Sequence, residues 1–264
     1  DSGRYIAFKC DKLTTGSNYS VFVDDIFVEV APTIAPMVIP FTCDFEDAES
    51  GYDAFPPDGW HYSMGYYPFV YENSSCAHSG AKSLLVRTYD DANTCYAVLP
   101  PVDITNYPLN TLQMTFWARC GSGYSSLNIG VMTDPYDVST YQSILTDYGG
   151  TASVTTTYKK FEVFFDHYTG NGQYIVIRTY GSTSCYIDDI EVSVSPTCRA
   201  PYDLWEGSGY PLGALVRWRV RDLEQTDYQI SLSTTEGFNP NEGTIVDAEF
   251  EQSLVGAGTP YRNR

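Results

Sequence analysis

The residues of this chain best suited to chemistry are carboxylates, and those with the most telling neighbours stand in the segment CYIDDIEVSV (185–194). On an extended strand alternate side chains share a face, so Tyr186, Asp188, Ile190, Val192 and Val194 fall together, and their apolar majority marks that face as the core. A carboxylate at a core position is costly unless it is hydrogen-bonded or holds a cation. The same arrangement occurs earlier, where Asp24 stands between Phe22 and Ile26 in VFVDDIFVEV (21–30). Two such burials leave two chemistries open: a divalent cation with oxygen ligands, or a carboxylate satisfied by backbone and hydroxyl donors. Neighbouring strand residues face opposite sides, so Asp188 and Asp189 cannot present both carboxylates to one substrate as a glycosidase pair would.

Other reactive types are scattered. No GxSxG, HExxH, Walker-type glycine loop or dinucleotide fingerprint occurs. The three histidines, His61, His78 and His167, lie in different segments, and CAHSG around Cys76 and His78 has the composition of a turn more than of a thiol nucleophile site. The sequence is therefore read as non-enzymatic. The densest aromatic run is GYYPFVYE (65–72). Its Tyr66, Tyr67, Phe69 and Tyr71 suit stacking on a sugar ring, although aromatics equally fill sandwich cores and cross-strand pairs.

The elements that must position these groups are strands. The chain has 23 Tyr, 13 Phe and 21 Gly among its 264 residues, and no window of ten or more keeps apolar positions at helical spacing with a cap in front. Lys and Arg number 15 against 33 Asp and Glu, a net of −18, which repels phosphate backbones and anionic membranes and makes nucleic acid an unsuitable partner. No run of about 18 apolar residues is present, so no membrane insertion by this stretch is expected. The seven cysteines lack zinc-type spacing, which points to disulfides in an oxidising compartment. Cys76 with Cys95, and Cys120 with Cys185, are the pairs that the strand candidates suggest, with Cys10 left over. The opening DSGRYIAFKC reads as mid-strand, so any secretion signal is expected upstream.

One repeat sets the domain boundaries. YIAFKC (5–10) followed by VFVDDIFVEVAPT (21–33) recurs as YIVIRT (174–179) followed by CYIDDIEVSVSPT (185–197), with a connecting loop that is shorter in the second copy. Residues 1–33 are thus the closing strands of a preceding domain and 34–40 a linker. Residues 41–197 form one complete domain, and 198–264 begin another. Inside the complete domain FTCDFE, KSLLVRT, YAVLP, LQMTFWARC, SLNIGVMT, KKFEVFFDH, QYIVIRTY and YIDDIEVSV are strand candidates. The expected fold is all-β, an antiparallel two-sheet jelly-roll sandwich. In the final stretch APYDLWEG, ALVRWRV and DYQISLST are strands of a partial sandwich, with Trp218 as its core anchor.

In their order and spacing, CDFEDAESG, PDGW, HSGAKSLLV, LQMTFWARCGSG and YIDDIEV are together similar to MAM domains and to cleaved-adhesin or choice-of-anchor J jelly rolls. PTCRAPYDLWEGSGYPLGALVRWRV resembles the start of a bacterial fibronectin type III domain. The resemblance implies a galactose-binding-like jelly roll in an extracellular, cell-surface or secreted protein. It also implies a structural Ca2+ shared by the first and last strands, recruiting Asp44 or Glu46 and Asp188 or Asp189. Six to eight oxygens are needed, so backbone carbonyls, for instance from HSGAKS, would complete the shell. The expected function is a non-catalytic adhesion region binding host protein or glycan alongside neighbouring domains of the same polypeptide. The alternative is the substrate-targeting accessory region of a secreted protease or glycosidase.

Overall fold

The computed structural model describes residues 34–52, 57–63, 68–88, 94–144, 152–180 and 183–197, with the strands and a few turn residues of 202–263. The chain divides into two compact units, Asp1–Ile34 and Ala35–Arg264. The first copy of the repeat, with Asp24 and Cys10, lies outside the described residues.

Twelve strands of the second unit build two antiparallel sheets: β1 (Phe41–Cys43), β2 (His61–Ser63), β3 (Phe69–Glu72), β4 (Lys82–Val86), β5 (Thr94–Val98), β6 (Leu112–Cys120), β7 (Tyr124–Met132), β8 (Gln142–Ser143), β9 (Ala152–Thr155), β10 (Lys159–Phe164), β11 (Tyr174–Tyr180) and β12 (Cys185–Val194). The first sheet runs β10-β6-β12-β4-β3, with β1 also on β12, and the second runs β2-β5-β11-β7-β8, with β9 also on β7. Strand β4 pairs with β12, β5 with β11, β6 with β10 and β7 with β9. That nesting of early strands with late ones, alternating between sheets, is the jelly-roll connection. No helix among the described residues is long and apolar enough to cross a membrane.

Alternation explains which faces meet. Strand β6 buries Leu112, Met114, Phe116, Ala118 and Cys120, while Trp117 and Arg119 between them stay half-buried on the other side. Leu127, Ile129 and Val131 of β7 and Ile175 and Ile177 of β11 oppose them from the second sheet, all in one core cluster. Each Leu, Ile, Val, Met or Phe among them, fully withdrawn from water, contributes about 1.5–3 kcal/mol. Residues 34–40, expected as a linker, also serve this core. Met37 and Ile39 are buried, and the Met37 N–H donates to Pro101 O at 2.8 Å.

Strand β12 departs from simple alternation, and the departure corrects the face assigned to Asp188. Its register against β6 shifts between Asp188 and Glu191, and Asp189 has φ of 46°. This bulge inserts one extra residue, so Cys185 and Ile187 point inward before it and Ile190 and Val192 after it. Asp188 therefore shares the outer face with Tyr186 and not the core face with Ile190.

Cys43, Cys76, Cys95, Cys120 and Cys185 are all thiols. This corrects the two disulfides expected from the strand spacing. Cys120 and Cys185 are register partners on β6 and β12. Cys95 sits in β5 of the other sheet, whereas Cys76 is in the turn that leads to β4.

Beyond residue 197 the strands Tyr202–Tyr210 (β13), Gly213–Arg219 (β14), Ile230–Leu232 (β15), Thr244–Val246 (β16), Glu251–Leu254 (β17) and Pro260–Asn263 (β18) form a four-stranded sheet, β13-β14-β18-β17, and a β15-β16 pair. The side chain of Trp218 lies outside the described residues.

Candidate functional site

The bulge in β12 is where the strand changes neighbours. Cys185–Ile187 pair with β4, whereas Ile190 and Val192 pair with β1. The chain leaving β1 and the turn entering β4 therefore converge on Asp188 and Asp189. Asp188 is fully buried although it lies on the outer face, because the His78–Ser79 turn covers it. Its Oδ2 accepts the N–H of His78 at 2.8 Å and of Ser79 at 3.1 Å, and its Oδ1 accepts the Asp189 N–H at 2.8 Å. Burial pushes the Asp188 carboxyl above the usual carboxylate range. The three N–H donors pull it back, and the neighbouring Asp189 charge adds to the rise. Asp189 points to the same turn: Oδ2 meets His78 Nδ1 at 2.5 Å and Oδ1 accepts from Ser79 Oγ at 2.8 Å.

Glu46 is gripped by two further amides just past Gly80, Ala81 N at 2.9 Å and Lys82 N at 2.7 Å, both donating to Oε1. The approach depends on Gly80, whose φ is +57° and where an added Cβ would lie 2.4 Å from Glu46 Cδ. Lys82 closes the clamp, its Nζ donating at 2.8 Å to the carbonyls of Glu46 and of Ala48. Asp44 is not drawn in: among the described residues its Oδ1 accepts only the nearby Glu46 N–H at 3.2 Å.

This donor set does not fit a calcium ion. The carboxylate oxygens of Asp188 and Oε1 of Glu46 face N–H hydrogens, the HSGAKS turn presents amides to them, and the nearby carbonyls of Glu46 and Ala48 are taken by the Lys82 ammonium. Among the described residues no group of three or more His, Cys, Asp or Glu side chains is gathered as metal ligands. The clamp ties β1, β4 and β12 together with backbone donors and one lysine.

Beside the clamp the outer face of the first sheet carries a run of rings. Register places Phe69, Leu85, Tyr186 and Arg119 in one cross-strand row, and Tyr71 with Ser83, and Asp188 with Trp117, in the next. His78 stacks on Trp117 with centroids 3.9 Å apart and planes at 13°, and Tyr158 stands 5.2 Å from His78. Tyr71 and Tyr186 are 5.9 Å apart. The Arg119 guanidinium lies between two rings, 5.8 Å from the centroid of Tyr158 and 5.4 Å from that of Tyr186. Burial pushes the Tyr186 phenol up to about 12 and also raises Tyr158, whose hydroxyl donates to Cys76 O.

Of the aromatic residues singled out by sequence, Tyr71 belongs to this face. Phe69 is only 6% exposed, under the Tyr52 ring at 4.0 Å, and so is packing rather than contact surface. Tyr66 and Tyr67 lie outside the described residues. Trp117, Arg119, Tyr158 and Tyr186 were missed, yet a signal existed: in LQMTFWARC the positions opposite to Met114, Phe116 and Ala118 hold a tryptophan and an arginine, an unusual outward pair. The second sheet offers less open surface, because Tyr96, Val98, Met132 and Val176 on its outer side form a buried cluster with Val138, Tyr141 and Tyr174 packed over them.

Ser79, His78 and Asp189 have the composition of a hydrolytic triad but not its wiring. Both Ser79 Oγ and His78 Nδ1 address the carboxylate, so no imidazole nitrogen receives the serine proton.

No family model matches the chain, and no curated protein matches it. Among solved structures, the K1 cleaved adhesin domain of Lys-gingipain from Porphyromonas gingivalis W83 is similar at 14% identity and a TM-score of 0.43, covering 60% of this chain and 100% of that one. The K2 cleaved adhesin domain of Lys-gingipain is 12% identical with a TM-score of 0.45, covering 60% and 99%. The CBM22-1 xylan-binding domain from Paenibacillus barcinonensis Xyn10C is 14% identical with a TM-score of 0.42, covering 62% and 99%.

Proposed function

We propose that this chain is a non-catalytic binding region of an extracellular multidomain protein, and that its jelly roll takes a glycan or protein partner on the outer face of the first sheet. The observation that carries the reading is the grouping of Tyr71, Tyr186, Arg119 and Trp117 from three strands with His78 and Tyr158 from the flanking turns on the outer face of the first sheet. Rings held by strands lose little freedom on binding, and half-buried aromatic and arginine side chains supply the contact energy of recognition surfaces. The final strands are taken as the start of a fibronectin type III module that spaces this surface from the rest of the polypeptide. No metal has a part in this reading, because Lys82 supplies the positive charge of the clamp.

The test is retention of the labelled 264-residue chain on an array of glycans and immobilised extracellular proteins, run beside Trp117→Ala. Retention that falls at least tenfold in the variant, with the captured glycan or protein recovered uncut, is expected. Retention that Trp117→Ala leaves unchanged, or cleavage of the captured partner, would overturn the reading.

A further inference from the structure

We propose that Arg119 makes this face a receptor for carboxylated sugars, so that the partner is a glycan containing hexuronate units. The inference rests on the reading of the face as a binding surface and adds the chemical class of what it binds.

Arg119 follows the inward Ala118 on β6 and precedes the inward Cys120, which fixes its stem on the outer face. Tyr158 and Tyr186 flank its guanidinium, and its Nε is buried with no hydrogen-bond partner. In a chain with 33 acidic and 15 basic side chains, a surface arginine would ordinarily find a carboxylate. Among the described residues none forms an ion pair with Arg119. The acids nearest in register are already engaged, Asp188 by the amides of His78, Ser79 and Asp189, and Asp189 by the side chains of His78 and Ser79. The cation is thus held in place by ring faces and left without a counter-charge. A guanidinium so held keeps its planar fork free to meet a carboxylate through two parallel N–H donors. Lys160, the register neighbour of Trp117 on β10, is exposed and adds a second positive charge on the same face.

The rings select the rest of the ligand. Tyr158 and Tyr186 stand on either side of the cation and Tyr71 lies beyond Tyr186 at 5.9 Å, so a chain crossing the strands would find a ring on either side of it, with the His78–Trp117 stack bordering its path in the next row. The apolar faces of pyranose rings stack on such surfaces while the C6 carboxylate of a hexuronate reaches the guanidinium. The net charge of −18 repels any polyanion at long range, so recognition must come at short range, where the planar guanidinium fork matches a planar carboxylate and the rings match the sugar faces that a polyphosphate chain lacks.

The deciding experiment is calorimetric titration of the full chain with a hexamer of galacturonate, with the same hexamer methyl-esterified, and with a sulfated neutral hexamer. The free acid is expected to bind at least tenfold more tightly than its methyl ester, a comparison that alters no residue of the protein. Arg119→Gln is expected to abolish that difference, and Arg119→Lys to restore only part of it. Equal affinity for acid and ester, tighter binding of the sulfated hexamer, or an Arg119→Gln protein that still prefers the acid would overturn the inference. If the ester binds as well as the acid and Trp117→Ala weakens both, the binding-face reading stands and only the acid specificity falls. If none of the three binds, the acid receptor is refuted, and the array then decides whether the face binds anything.

Discussion

Replacing Asp188 by alanine removes the acceptor of three backbone N–H groups at a site with no solvent exposure. An unsatisfied buried donor costs roughly 1–3 kcal/mol, and water entering the space left by the carboxylate recovers part of it, so the expected loss is about 3–5 kcal/mol. For a domain of this size that lowers the unfolding midpoint by on the order of 10 °C. Asp188→Asn keeps one oxygen acceptor and should lose about half as much. The proton on Asp188 sharpens the comparison. Its folded pKa is raised above 3.8, so the folded protein holds the proton more tightly than the unfolded chain does. Its contribution is then fully present below 3.8 and declines as the pH rises through the folded value. Asparagine has no proton to lose, so its deficit against wild type should shrink as the pH rises from acid toward neutral. Thermal unfolding by circular dichroism across that range measures both. An alanine variant within about 1 kcal/mol of wild type would refute the reasoning that the turn is held by this carboxylate.

Lys82→Met keeps the length of the stem but removes two charged hydrogen bonds to the carbonyls of Glu46 and Ala48, for an expected loss of about 2–4 kcal/mol in urea unfolding. The wild-type midpoint should be the same in calcium and in chelator, and a calcium-dependent rise would overturn the account of the clamp. Gly80→Ala should cost more than about 1–2 kcal/mol by the same assay, since it adds a Cβ at φ +57° beside the Glu46 carboxylate. Cys95 and Cys185, whose thiols burial raises to about 12 and about 11, should resist iodoacetamide at mildly alkaline pH in the native protein and react on unfolding; native labelling would show that the sandwich opens there.

Much of the sandwich was legible because strand alternation is a strong signal. KKFEVFFDH carries its buried residues at the alternate positions that periodicity demands, and LQMTFWARC nearly so, whereas SLNIGVMT and QYIVIRTY are buried on both faces, because Met132 and Val176 lie in the outer cluster of the second sheet. The DDI motif was found for the right reason, a costly carboxylate, but its face was inverted. Alternation counts residues two at a time and cannot see the extra residue that a bulge inserts at Asp188–Asp189. The cation site implied by Asp44, Glu46, Asp188 and Asp189 was likewise a matter of donor direction. Sequence places the acids near HSGAKS without showing that the turn presents amides to Glu46 and Asp188, or that Lys82 reaches back to Glu46 O. The run GYYPFVYE drew attention by density, whereas the sheet face is assembled from β3, β6, β12 and two turns, residues more than a hundred apart in sequence for His78 and Asp189. Such a surface is set by register, and register is a tertiary property.

The most direct test of the central claim is to map the bound surface by amide and side-chain NMR shift changes on titrating the galacturonate hexamer into the full chain. The account predicts changes concentrated at Tyr71, Trp117, Arg119, Tyr158 and Tyr186 on the outer face of the first sheet. Changes centred instead on Tyr96, Tyr141 and Arg178 of the second sheet would contradict it.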